Sequence, residues 1–221
     1  MATKLNEITA ADMRAAMIDS QLRTNDVIDP AVVAAMATEP REAYVPAALA
    51  SVAYMDRAIA LGEGRALNPP LVTGRMLVAA AIQPGTRVLL IGAATGYTAA
   101  LLAELGAEVH AVEEQADLIA AARDTTAAKA NIHWVEGPLN AGAPGAAPFD
   151  RIIIDGAIET LPDALAAQLA EGGRLIAARR EGAVTRLVQG VKTSGTIALR
   201  SFADMDAAPL PGFDAPQDFR F

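Results

Sequence analysis

The sequence predicts an α/β fold, in which a mostly parallel, doubly wound sheet follows N-terminal helices and ends in a C-terminal antiparallel hairpin. Three observations carry this expectation. Short apolar runs alternate with helical stretches between residues 86 and 178. Glycine or proline punctuates most changes of element, as between Ile82 and Thr86 or after Leu105. Two β-rich runs then flank Thr193-Ser194-Gly195, which reads as a hairpin turn. Strands and helices alternating at this spacing favour a parallel sheet with helices on its faces.

The elements follow in order. Thr9 or Asp12 can cap a first helix running to about Gln21, with Met13, Ala16, Met17 and Leu22 near one stripe. Asp29-Pro30 starts a second, because aspartate caps free amides and proline suits the first turn. It carries Val32, Val33 and Met36 and stops before Pro40. Pro46 opens a short segment, and the stretch 62–70, rich in Gly, Pro and charge, is expected to be irregular. A helix over about 71–82 follows. The run 87–91 lies between Pro84-Gly85 and Gly92, which marks a buried parallel strand. A helix over 98–105 ends at Gly106, a natural C-cap. Strands are expected over 108–112 and 132–135, with an Ala-rich helix over about 115–130 between them. After a soft loop over 138–148 come a strand over 151–154, a helix over 161–169 closed by Gly172-Gly173, and a fifth strand over 174–178. The hairpin strands are placed at about 186–191 and 196–202. The proline-broken tail from Pro209 carries Phe213, Phe219 and Phe221 and is expected to fold back over the apolar sheet edge, the alternative being that it docks onto a partner or a second subunit.

Composition narrows the function. Of 221 residues, 52% are apolar but only 4% aromatic, and 51 are alanine, so the core is built from small aliphatic groups. The absence of cysteine excludes disulfides, thiol catalysis and cysteine-bound zinc, and two histidines, His110 and His133, leave little for a histidine metal site. A net charge of −8 disfavours binding to a nucleic-acid backbone. No long apolar span or signal core is evident. The expectation is a soluble cytoplasmic protein that meets small molecules or proteins, without nucleic acid, membrane or metal; its oligomeric state is left open.

The strongest chemical signal is the stretch from Val88 to Tyr97, in which a strand runs into the small-residue turn Gly92-Ala93-Ala94-Thr95-Gly96 and then into a helix. Such a turn lets backbone amides approach a ligand. Glu113 follows at the end of the second strand, where an acid accepts hydrogen bonds from both ribose hydroxyls of a nucleoside. Turn and acid together point to a nucleoside-bearing cofactor; the alternative is a tight turn that binds nothing. Asp155, expected just beyond the fourth strand, either faces the cleft or caps the turn at Gly156-Ala157. His110, His133 and Trp134 read best as packed residues, and Arg179-Arg180 as a solvated strand end.

Several segments resemble the protein-L-isoaspartate O-methyltransferase family, within the Rossmann-like methyltransferases that use S-adenosylmethionine. They are 17–23, Val32 to Met36, the stretch from Glu39 through Pro40-Arg41-Glu42 to Tyr44-Val45-Pro46, 58–64 with Pro70 and Arg75-Met76, Ile91-Gly92 to Gly96-Tyr97, 147–153 and 169–175. The resemblance runs from about residue 13 to 200. It implies methyl transfer to the free α-carboxylate of isoaspartyl residues in damaged peptides and proteins, with S-adenosylmethionine as cofactor. It divides the chain into an N-terminal helical segment with the substrate loop (1–82), a cofactor-binding domain (83–203) and a tail (204–221). It implies cofactor contacts from Gly92, Ala93, Ala94, Thr95, Gly96, Tyr97, Glu113, Gly137, Pro138 and Leu139; Asp155, by its place after the fourth strand, either meets the cofactor's ammonium group as a replacement acid or caps the turn that follows. The chain also departs from the family pattern. Where the family has Thr-Ile-Ser-Gln-Pro, this chain has Ala66-Leu67-Asn68-Pro69-Pro70, so Leu67, Asn68 and Pro69 line the substrate side and Asn68 takes the place of the catalytic-site serine. Leu90 replaces an acid, Ala94 a glycine, and Gly137-Pro138-Leu139 stands where the family has Gly-Asp-Gly. These changes leave two other readings, an altered acceptor or a degenerate member serving as a binding module.

Overall fold

The computed structural model describes residues 8–215. The first helix, α1 (Ala10–Ala16), opens with a reciprocal cap: Asp12 N donates to Thr9 Oγ1 at 3.1 Å, and Thr9 N donates to Asp12 Oδ2 at 2.9 Å. It continues as a wider π-helical segment, Met17–Leu22, which buries Met17, Ile18 and Leu22. In α2 (Pro30–Thr38) the Asp29 carboxylate accepts from Ala31 N and Val32 N at 2.9 and 3.1 Å.

The segment 62–70, expected to be irregular, is partly a hairpin of β1 (Ile59–Gly62) and β2 (Arg65–Leu67). Gly62 (φ +99°) and Gly64 (φ +73°) supply the left-handed turn, and Ile59 and Leu67 pair across it with both side chains buried. Next comes α3 (Pro70–Ala80), with proline at its first position.

The sheet comprises β3 (Arg87–Ile91), β4 (Glu108–Glu113), β5 (Ile132–Glu136), β6 (Phe149–Ile158), β7 (Leu169–Glu181), β8 (Val184–Thr193), β9 (Thr196–Ile197) and β10 (Arg200–Asp204). The helices α4 (Tyr97–Glu104), α5 (Ala116–Thr125) and α6 (Asp163–Gln168) connect its parallel part. The order is β10-β8-β7-β6-β3-β4-β5, with β9 paired to β8; β7, β6, β3, β4 and β5 are parallel, and β8 and β10 antiparallel. The winding reverses between β3 and β6, and ligands of open α/β sheets bind at the strand carboxyl ends by such a switch point. One apolar cluster joins the N-terminal helices to β3 and α4, and a second fills the opposite face around Phe149, Ile152 and Leu175.

Several boundaries differ from expectation, each for a local reason. The fifth helix stops at Thr125, not near 130, where the Thr126 hydroxyl turns back onto Ala122 O at 2.7 Å. Gly172-Gly173 does not close a helix. It lies inside β7, beside a register break where Gly172 takes φ +75°. The fourth strand runs on to Ile158, so Asp155 lies within β6, at a second register break between Ile153 and Ala157. The turn Thr193-Ser194-Gly195 is present, with Ser194 at φ +50° and Gly195 at +77°, the left-handed pair a two-residue hairpin needs. The tail lies over the carboxyl end of β6, not along a sheet edge, and Phe213 is buried there. Phe219 and Phe221 lie outside the described residues.

Candidate active site

The turn after β3 is built from left-handed residues: Gly92 at φ +77°, Ala94 at +50° and Gly96 at +95°. Ala94 carries a Cβ in a region costly for it, which marks a turn fixed by its surroundings. Those surroundings include Glu113, fully buried at the end of β4. Its Oε2 accepts from Ala94 N at 2.8 Å, and its Oε1 accepts from Glu114 N and Gln115 N at 3.0 and 3.3 Å. Gly92 N and Ala93 N donate to Val112 O at 3.0 and 3.1 Å, which holds the turn against β4. The sequence-predicted pairing of turn and acid is therefore a direct contact.

A fourth donor reaches the same carboxylate. Arg65 Nη2 lies 2.7 Å from Glu113 Oε2, with both side chains almost wholly buried. Arg65 Nε has no partner among the described residues. The tail lies beside it: a Cβ placed on Gly92 would meet Leu210 Cδ2 at 2.8 Å and Arg65 Nη2 at 3.3 Å. On Gly156 it would meet Leu210 Cγ at 2.5 Å and Ala208 O at 2.7 Å. Backbone bonds fix the tail, from Ala157 N to Ala208 O at 2.7 Å and from Leu210 N to Ala157 O at 2.9 Å.

Asn68 is buried in the same region. Its Nδ2 donates to Asp155 Oδ1 at 2.7 Å, and its Oδ1 accepts from Ala208 N at 2.8 Å. Burial pushes the Asp155 carboxyl above its ordinary range, against the Asn68 amide, which favours the charged form. Arg41 supports Asn68 from below: its Nη2 donates to Asn68 O, and its Nε donates to Ala53 O at 2.7 Å. The Arg41 guanidinium lies 4.8 Å from the Tyr97 ring centroid.

The remaining predicted site residues scatter. The Tyr97 ring turns away from the glycine turn toward Tyr44, at 5.4 Å, and burial pushes its phenol up to about 12. Thr95 Oγ1 donates to Tyr44 O at 2.6 Å. Gly137 N donates to Glu113 O at 3.1 Å, Leu139 is buried in the second apolar cluster, and Pro138 is exposed. Leu67 is buried on β2 and Pro69 precedes α3. His110 and His133 sit across β4 and β5 with ring centroids 4.9 Å apart, but on this edge strand His133 is exposed rather than packed, beside Glu108; Trp134 packs beside Gly96. Arg180 pairs with Glu159 at 2.8 Å.

Arg65, Arg41, Ala208 and Leu210 carry this site and were not singled out by sequence reasoning. Arg65 gave no usable signal, because the strand that places it on the same buried face as Leu67 is only three residues long. Leu210 stands between two prolines in a segment without periodicity.

Strand order, switch point and a glycine turn joined to a buried acid define a Rossmann-like methyltransferase architecture. A family profile described as Protein-L-isoaspartate(D-aspartate) O-methyltransferase (PCMT) matches residues 12–210. A Protein-L-isoaspartate O-methyltransferase of Methylorubrum extorquens is 44% identical over 167 residues, 75% of this chain and 73% of the relative. One from Koribacter versatilis is 38% identical over 201 residues, 90% of each. The chain belongs to the protein-L-isoaspartate O-methyltransferase family. The fold agrees with a Plasmodium falciparum structure titled as a putative member in complex with S-adenosyl-L-homocysteine, at TM-score 0.78 and 19% identity, covering 92% of this chain and 99% of that one.

The acid beside the glycine turn is of the kind that a nucleoside's ribose requires, but the amides at Gly92, Ala93, Ala94 and Gly96 are bonded within the chain and the conformation described does not admit a nucleoside. Glu113 already accepts four bonds from this chain, and Arg65 and Leu210 fill the space over Gly92.

Proposed function

We propose that this chain transfers a methyl group from S-adenosylmethionine to the free α-carboxylate of L-isoaspartyl residues in peptides or proteins, acting from a form in which the cleft over Gly92 is open. The observation that carries this reading is the left-handed turn at Gly92–Gly96 joined through Ala94 N to the buried carboxylate of Glu113. Family membership over residues 12–210 supports it.

The cofactor supplies a methyl group on a sulfonium centre, and the acceptor carboxylate is already a nucleophile at neutral pH. The chain's task is then to orient, to bind and to exclude water. In the open form Glu113 offers its carboxylate to the ribose hydroxyls, while Gly92, Ala93, Ala94, Thr95, Gly96 and Tyr97 shape the turn. Gly137, Pro138 and Leu139 flank the base, and Asp155 meets the ammonium group. Asn68 replaces the family serine on the substrate side, between Leu67 and Pro69. Its Nδ2 has two hydrogens, of which Asp155 takes one, and the other is left for an acceptor carboxylate.

The test is transfer of a labelled methyl group to an isoaspartyl peptide, with the aspartyl peptide as control. Label on the isoaspartyl peptide alone is the expected result. No transfer to it, by protein that binds S-adenosylhomocysteine in calorimetry, refutes the acceptor and keeps the cofactor.

A further inference from the structure

We propose that the chain closes its own cofactor cleft, with Arg65 of the β1–β2 hairpin and the tail segment 208–210 competing with the nucleoside for one place. This inference rests on the cofactor reading above and adds a regulatory contact to it.

Three independent contacts make the closure. The first is electrostatic: Arg65 Nη2 lies 2.7 Å from the Glu113 oxygen that also accepts from Ala94 N. A guanidinium thus holds the carboxylate position that ribose hydroxyls require. The second is steric: Leu210 covers Gly92 and Gly156, whose missing side chains leave the recess it fills. The third is polar: Ala208 N donates to Asn68 Oδ1, and Ala157 exchanges bonds with Ala208 and Leu210 on either side. The tail therefore takes up both the floor of the cofactor turn and the amide of the residue placed on the substrate side.

The closing parts are tied to the body in ways that permit release. Arg65 follows Gly62 and Gly64, two left-handed glycines with no atom near where a Cβ would be. Its Nε lacks a partner among the described residues, so a buried cation makes one ion pair here and leaves a donor unused. On release Arg65 regains water, while Glu113 keeps Ala94, Glu114 and Gln115 as donors. Nucleoside affinity then falls by the fraction of molecules that are open.

The experiment titrates S-adenosylhomocysteine into the full chain and into Arg65→Ala and Leu210→Ala, with circular dichroism melts to establish folding. Hydrogen exchange at the Ala208 and Leu210 amides is followed in parallel. The expected result is at least tenfold tighter binding by either variant, with faster exchange at both amides when wild type is saturated. Equal affinities for all three proteins, or wild-type amides equally protected with ligand bound, overturn the closure and leave the cofactor reading standing. Folded variants that bind nothing at millimolar ligand overturn both. If one variant fails to fold, the other variant and wild-type exchange decide the question.

Discussion

Replacing Glu113 by alanine strands Arg65, whose side chain is 2% exposed, with no counter-charge. It also removes the acceptor of Ala94 N. Breaking a buried ion pair by deleting one partner costs about 3–5 kcal/mol, because the survivor stays desolvated. In a chain of this size that lowers the melting temperature by about 6–20 °C. Arg65→Met is milder, because Glu113 keeps three backbone donors; about 1–3 kcal/mol is expected, the scale of one charged hydrogen bond. The double variant has no stranded charge, so its loss must be smaller than the sum of the two single losses. Urea unfolding of all four proteins measures this, provided fluorescence and circular dichroism transitions coincide. A cost below about 1 kcal/mol for Glu113→Ala, or strict additivity in the double variant, refutes a buried pair in solution.

Other expectations follow from separate contacts. Gly156→Ala puts a Cβ 2.5 Å from Leu210 Cγ and 2.7 Å from Ala208 O, so it should expel the tail, read as fast exchange at the Ala208 amide. Thr9→Ala removes the first cap and should cost about 1 kcal/mol in a thermal melt. Burial raises the Asp155 pKa above its ordinary value of 3.8, so its contribution to stability is complete below that value and is lost as pH rises through the folded pKa. Asp155→Asn, which keeps an acceptor for Asn68, should raise the melting temperature at neutral pH and flatten that dependence. In the Leu210→Ala background, where the cleft is already open, Asn68→Ala should lower methyl transfer without changing S-adenosylhomocysteine affinity, measured by kinetics and calorimetry together; in the wild-type background it removes the acceptor of Ala208 N and should tighten that affinity.

Much of the sheet was legible because its central parallel strands are apolar on both faces, whereas the edge strand β5 is only partly buried. Val88 to Ile91 and Ile152 to Ile154 are fully buried, so continuous apolar runs announced them. Glu113 and the glycine turn were legible for a different reason, since their spacing follows from one strand-helix-strand unit. The β1–β2 hairpin was not legible: its strands are four and three residues long, too short for a periodic signal against two glycines and a glutamate. Helix ends were misjudged where a side chain ends the helix, as Thr126 does, because alanine after alanine gives no stop signal. The tail's place was beyond reach, because the contacts from Ala208 to Asn68 and Ala157 span long separations in sequence and depend on the finished sheet.

The closed cleft also bounds how tightly the chain can hold itself shut. Opening separates one ion pair into water and exposes Leu210; the three backbone donors to Glu113 remain in place. Returning both charges of a buried pair to water is near neutral, because regained hydration offsets lost attraction. Uncovering one leucine side chain costs about 1.5–3 kcal/mol. The two backbone bonds at Ala157 and the bond from Ala208 N to Asn68 Oδ1 are exchanged for water at about 0.5–1.5 kcal/mol each. Together these terms give about 3–7 kcal/mol, an open fraction of roughly one in 10² to 10⁵. A nucleoside of micromolar intrinsic affinity would then bind only at about 0.1–100 mM until the tail or Arg65 is displaced. Either a peptide acceptor that displaces Ala208 from Asn68, or a variant without Leu210, should therefore sharpen nucleoside binding, and by linkage the nucleoside should sharpen acceptor binding by the same factor.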